Sequence, residues 1–94
     1  MDALKLIGVS ERQGNYEGTN YHNIYFHCTF YDERFLGEMV ETVKIKAVDI
    51  INILGFECNS FEDFDELLGR KFYCYYNKNG VVNKIDFIDD AIIV

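Results

Sequence analysis

Residues 21 to 31 read Tyr-His-Asn-Ile-Tyr-Phe-His-Cys-Thr-Phe-Tyr, and they alternate. In an extended strand, side chains point to opposite faces with a period of two. Ile24, Phe26, Cys28 and Phe30 therefore form one face and suit a core. Tyr21, Asn23, Tyr25, His27, Thr29 and Tyr31 form the other. A solvent face would ordinarily carry Lys, Glu, Thr and Ser, so three tyrosines and a histidine suggest a surface that stacks flat ligands, nucleic-acid bases being the commonest. Strong strand-formers on a half-covered face, or a protein interface, give the same pattern.

The rest of the chain is punctuated to match. Leu4 to Glu11 reads as a first strand, followed by a polar turn or open hairpin loop from Arg12 to Asn20 with two glycines. Tyr21 to Tyr31 is the second strand and Asp32 to Gly37 a connection. Glu38 to Ala47 alternates again, with Glu41, Val43, Ile45 and Ala47 opposite Val40, Thr42, Lys44 and Lys46. Val48 to Leu54 suits a short helical turn closed by Gly55. Ser60 to Leu68 has the pattern of a helix. Ser60 is placed as N-cap, Asp63 completes a capping box, and Gly69 follows the end. Phe61, Phe64, Leu67 and Leu68 share one helical face, while the acids around them turn to water. Lys71 to Asn77 and Val81 to Ile88 are two strands joined through Asn79-Gly80, a hairpin signal. In the last strand Val81, Ile85 and Phe87 alternate with Val82, Lys84 and Asp86. On the fourth strand, either Tyr73 and Tyr75 or Phe72, Cys74 and Tyr76 can be interior.

The order β-β-β-α-β-β over a single 94-residue domain, mainly β with one helix, is that of a small five-stranded OB-fold-like barrel. An open five-stranded sheet covered by one helix has the same string. Closure would remove the exposed edges of a sheet rich in Tyr, Phe, Val and Ile.

Apolar residues make up 49% of the chain, enough for a core. The longest apolar runs are far shorter than the ~20 residues of a spanning helix. No basic segment followed by an apolar stretch opens the chain, so no secretory leader and no membrane association are expected. Three cysteines without a C-x-x-C pair are not a disulfide framework and fit a reducing cytoplasm. The net charge is −7, an obstacle to nucleic-acid binding, which phosphate neutralisation drives. The acids are concentrated, however. Residues 57–66 hold five acids and no base, and residues 86–90 hold three more, so the remainder carries 9 bases against 8 acids. Another face can be locally positive.

Catalytic and metal chemistry have little to stand on. His27 and Cys28 are strand neighbours and face opposite ways, so they can neither ligate one ion nor form a nucleophile–base pair. His22 points with Cys28, but two ligands without a third nearby do not make a site. No G-x-S-x-G, P-loop or GxGxxG pattern is present. No cofactor and no catalytic residue are expected.

Several stretches resemble the small OB-fold single-stranded-DNA-binding proteins of phages and mobile elements. The first strand ends in Ser-Glu-Arg. The loop Gly14-Asn-Tyr-Glu-Gly18-Thr-Asn-Tyr21 leads into an aromatic second strand. The closing hairpin Phe72-Tyr-Cys-Tyr-Tyr-Asn-Lys-Asn-Gly-Val-Val-Asn-Lys-Ile-Asp-Phe87 has their strand, Asn-Gly turn, strand form. The resemblance implies a binding face on strands 2 and 3 with flanking loops, and often a homodimer. On this chain that face would hold Tyr21, Tyr25, His27, Tyr31, Lys44 and Lys46, with Thr42 between them. Tyr16 and Arg12 would reach in from the first loop. The expected function is non-enzymatic binding of single-stranded nucleic acid by stacking and lysine–phosphate contacts. The alternative is an acidic protein-interaction module, an accessory or inhibitor protein of a mobile element that could act as a DNA mimic, resting on the net charge, the acidic helix 61–68 and the aromatic patch. The tail Asp89 to Val94, acidic and then apolar, reads as a final strand or packed flap; in outline it resembles the partner-recruiting tips of such DNA-binding proteins.

Overall fold

The computed structural model of the protein describes residues 3–58 and 60–88; the Asp89 to Val94 tail lies outside them. Five strands, β1 (Leu4–Tyr16), β2 (Thr19–Tyr31), β3 (Glu38–Lys46), β4 (Lys71–Tyr76) and β5 (Val82–Phe87), form one antiparallel sheet in the order β3-β2-β1-β4-β5. Two short helical segments lie between β3 and β4. A 3-10 turn over Ala47–Asp49 runs into α1 (Ile50–Leu54), and a 3-10 helix spans Phe61–Leu67. No described helix is long and apolar enough to cross a membrane.

The β1–β2 hairpin is longer than the sequence pattern suggests. The stretch from Arg12 to Asn20 is not a loop: the ladder continues to Tyr16 opposite Thr19, and only Glu17 and Gly18 turn, both with positive φ (50° and 82°). These dihedrals are those of a two-residue turn matched to strand twist, normally signalled by Asn-Gly rather than Glu-Gly. Asn15 stabilises it locally. Its Oδ1 accepts from the Gly18 N–H at 3.1 Å and its Nδ2 donates to Asn20 Oδ1 at 2.8 Å.

Of the expected core positions, Ile24, Phe26 and Cys28 on β2 and Val43 and Ile45 on β3 are buried, and Phe30 packs against them partly buried. Phe26 sits at the centre, edge-on to Phe64 at 5.7 Å and to Phe72 at 6.1 Å between ring centroids. On β4 the interior set is Phe72 and Cys74, which leaves Tyr73 and Tyr75 on the outer side. β5 differs from its expected alternation. Val82 is buried with Ile85, and Val81 is 55% exposed. The β4–β5 register shifts between Tyr75, opposite Lys84, and Tyr76, opposite Val82, so Asn83 is an extra residue. Such a bulge inverts the facing of everything on one side of it. The turn before it is organised by Asn77, whose Oδ1 accepts from the N–H groups of Asn79 (2.8 Å) and Val81 (3.1 Å).

The segment after Ser60 has the expected start: the Asp63 carboxylate accepts from the Ser60 N–H at 3.1 Å. Its winding is 3-10, and that redistributes the apolar residues. At three residues per turn Phe61, Phe64 and Leu67 line up, while Leu68 falls off the stripe and is 42% exposed. Phe64 and Leu67 enter the core; Phe61, at 39% exposure, stays on its rim.

No ladder joins β3 to β5 among the described residues, so the sheet is not closed. Four successive antiparallel pairings make these two edges parallel to each other, and parallel pairing is the weaker kind per residue. Between them lies a groove of about 540 Å³ lined by Glu41, Thr42, Lys44, Lys46 and Asp49 on one side and Tyr76, Gly80 and Val82 on the other.

Candidate nucleic-acid interface

Cross-strand partners in a sheet share a face, so the registers of β1, β2 and β3 lay out the outer surface row by row. One row is Gly8, His27, Thr42. The next is Ser10, Tyr25, Lys44, and the third is Arg12, Asn23, Lys46. Beyond the end of β3 the hairpin continues alone with Gly14 opposite Tyr21 and Tyr16 opposite Thr19. Five of the expected binding residues, Arg12, Tyr25, His27, Lys44 and Lys46, thus come together in three adjacent rows. No acidic residue shares these rows. In a chain of net charge −7 they form a basic, aromatic island.

The island is internally organised. The Arg12 guanidinium lies over the Tyr25 ring, 5.8 Å from its centroid, a cation–π contact that presents a flat, charged platform. His27 is fixed at both ring nitrogens. Nε2 is 2.8 Å from Ser10 Oγ and Nδ1 is 3.3 Å from Thr42 Oγ1. A hydroxyl can donate or accept, so either tautomer satisfies both bonds and the imidazole spans three strands.

Tyr21 is 43% exposed and lies across Gly14 on the hairpin arm. Tyr16, 70% exposed, occupies the last row of that arm. Tyr31 faces the same way but stands apart. It is the partner of Glu38 at the far end of β2, six residues from Tyr25, or ~20 Å along a strand. Thr29, between them, is buried and donates to Glu38 Oε1 at 3.1 Å. Tyr31 therefore has an acidic neighbour rather than the cations that surround Tyr25.

Residues outside the expected set also belong to this face. Ser10, Asn23 and Gly14 complete its rows; Asn23 follows from the alternation of β2, whereas Ser10 and Gly14 are placed only by the β1–β2 register. Lys5, opposite Thr29 on one side and Lys71 on the other, adds two cations to the lower end. The other imidazole, His22, points to the opposite side with Ile24 and pairs with Glu11 at 2.6 Å. It takes no part in the outer surface. Among the described residues no group of three or more His, Cys, Asp or Glu side chains could hold a metal ion.

No protein-family model, no curated protein and no solved structure matches the chain.

Proposed function

We propose that this chain is a non-enzymatic module that binds single-stranded nucleic acid on the outer face of β1, β2 and β3. The observation that carries the reading is the gathering of Arg12, Lys44 and Lys46 around Tyr25, without an acid in their rows, on a chain of net charge −7. Tyr25 and Tyr21 offer flat surfaces to bases, and the cations beside them meet phosphates. A single strand is the better ligand than a duplex, because stacking needs bases whose faces are free.

The fold reading that accompanies this is an OB-type barrel opened along one seam. The order β3-β2-β1-β4-β5 becomes a five-stranded barrel when β3 and β5 are brought together, and those edges already flank one groove. The β4–β5 turn then stands beside Lys44 and Lys46, and the β1–β2 arm flanks them on the other side.

Fluorescence polarisation with a labelled oligo-dT at low salt tests the function. Binding weakened by roughly 5- to 150-fold in Tyr25→Ala is expected, the equivalent of ~1–3 kcal/mol for one stacked base. Absence of binding at tens of micromolar protein, or binding indifferent to Tyr25→Ala, overturns it. The three rows hold no acid, which favours nucleic acid as the ligand of this face.

A further inference from the structure

We infer that the rim between β1 and the 3-10 helix is a second docking site, for a peptide segment of a partner protein with apolar anchors flanked by lysine or arginine. The site is a groove of about 430 Å³ lined by Val9, Phe61, Phe64 and Leu68, with Glu62 and Asp65 on its border and no basic residue among its described lining. Val9 belongs to the inner side of β1, opposite Phe26 in the ladder, so this groove and the basic face lie on opposite sides of the sheet.

Two features point to an occupant. The first is apolar: Phe61 and Leu68 are 39% and 42% exposed at the border of one groove, and Phe61 leans edge-on against Phe64 at 6.2 Å. Large side chains in this arrangement present a ready cleft rather than scattered surface residues. The second is charge. Glu62 and Asp65 border the cleft, and the negative field extends along the segment. Burial, then the carboxylates of Asp63 and Glu66, push the Cys58 thiol above its ordinary value. A ligand that fills the cleft with an apolar side chain places its flanking residues against these carboxylates, and only basic flanks are complementary there. The chain's own residues 89–94 open on two aspartates and would bring like charge to the rim. This site is independent of the proposed nucleic-acid function.

A synthetic peptide array tests it, probed with the full chain. One series carries a Leu-Phe core flanked by Lys and Arg, a second the same core flanked by Ser, a third the core flanked by Glu, and a fourth a Ser-Ser core flanked by Lys and Arg. The expected result is capture by the first series alone, with affinity in solution reduced at least about tenfold in Glu62→Lys/Asp65→Lys and in Phe61→Ser. Both variants should keep the wild-type circular dichroism, and Phe61→Ser should keep the wild-type response to oligo-dT. Equal capture by the fourth series means plain charge attraction and overturns the proposal, as does retention of binding by the charge-reversed variant. A chain ending at Ile88 that binds the first series more tightly would make the tail the native occupant. Self-association lost in Glu62→Lys/Asp65→Lys would make it a second copy. Either result overturns the assignment to a partner protein.

Discussion

The Tyr21 ring lies across the backbone of Gly14, its partner on β1: a Cβ placed at Gly14 would meet Tyr21 Oη at 2.9 Å and Cζ at 3.1 Å. An exposed strand glycine costs roughly 0.5–1 kcal/mol relative to alanine, so its place here is to let a tyrosine lie flat. Gly14→Ala should leave the melting temperature unchanged or slightly raised, because the exposed ring can swing away. It should also displace Tyr21 from its position and weaken oligo-dT binding to the level of Tyr21→Ala. Paired thermal melts and polarisation titrations check this; wild-type binding by Gly14→Ala would remove Tyr21 from the interface.

The number of cations sets the salt dependence. With Arg12, Lys44 and Lys46 each meeting one phosphate, the plot of log K against log salt should have a slope of about −2, taking ~0.7 per phosphate for single strands. Lys44→Ala/Lys46→Ala should flatten it to a slope of about −0.7 by the same rule. A wild-type slope steeper than about −3 would bring Lys5 and Lys71 into contact with the strand as well.

How far the sequence specifies this surface is clear from its parts. The face of β2 is legible because its alternation is uninterrupted for eleven residues. β1 beyond Glu11 is not, because its turn places Glu17 rather than a glycine or asparagine at positive φ, and nothing in the composition announces a ladder there. β5 is misread for a related reason: one bulged residue, Asn83, exchanges the facing of Val81 and Val82, and periodicity carries no marker for a bulge. The capping box at Ser60 and Asp63 fixes where the next segment starts but not its pitch, so the exposure of Leu68 is invisible until the 3-10 winding is known. The rows of the candidate site depend on register between strands, which single-strand patterns do not contain.

Phe26 carries the core, touching the helical segment through Phe64 and the far wing of the sheet through Phe72. Phe26→Ala should cost about 3–5 kcal/mol, measured by urea denaturation. Tyr25→Ala, its neighbour on the opposite face, should cost far less. That contrast separates a stability defect from a binding defect at adjacent positions.

Stability should decline at alkaline pH through the thiols. The Cys28 thiol is pushed up to about 12, first by burial and then by the charges of Glu41 and Cys74. Burial also raises Cys74 and Tyr76. A raised value in the folded state means that the native chain holds protons the unfolded chain has already released. The stability from these groups is complete below the ordinary thiol value of 9.0 and is lost as pH climbs towards 12. Thermal melts should show Tm falling across that window, and Cys28→Ala should fall less steeply from a lower start. A Tm independent of pH there would contradict it. At neutral pH a thiol reagent should modify Cys58 well before the buried Cys28 and Cys74.

The hairpin arm has a thermal consequence. From Gln13 to His22 every residue is exposed and has no partner on β3, so the arm owes nothing to the core and rests on ladder hydrogen bonds and a two-residue turn. A free two-stranded ribbon is marginal in water, and such segments open at far lower free energy than the globule they project from. The arm's amides should be the first of the sheet to exchange with solvent. Because Tyr21 rides on it, grip on a strand would loosen on warming well before the domain melts, so the protein's working range is set by its ten least stable residues rather than by its core.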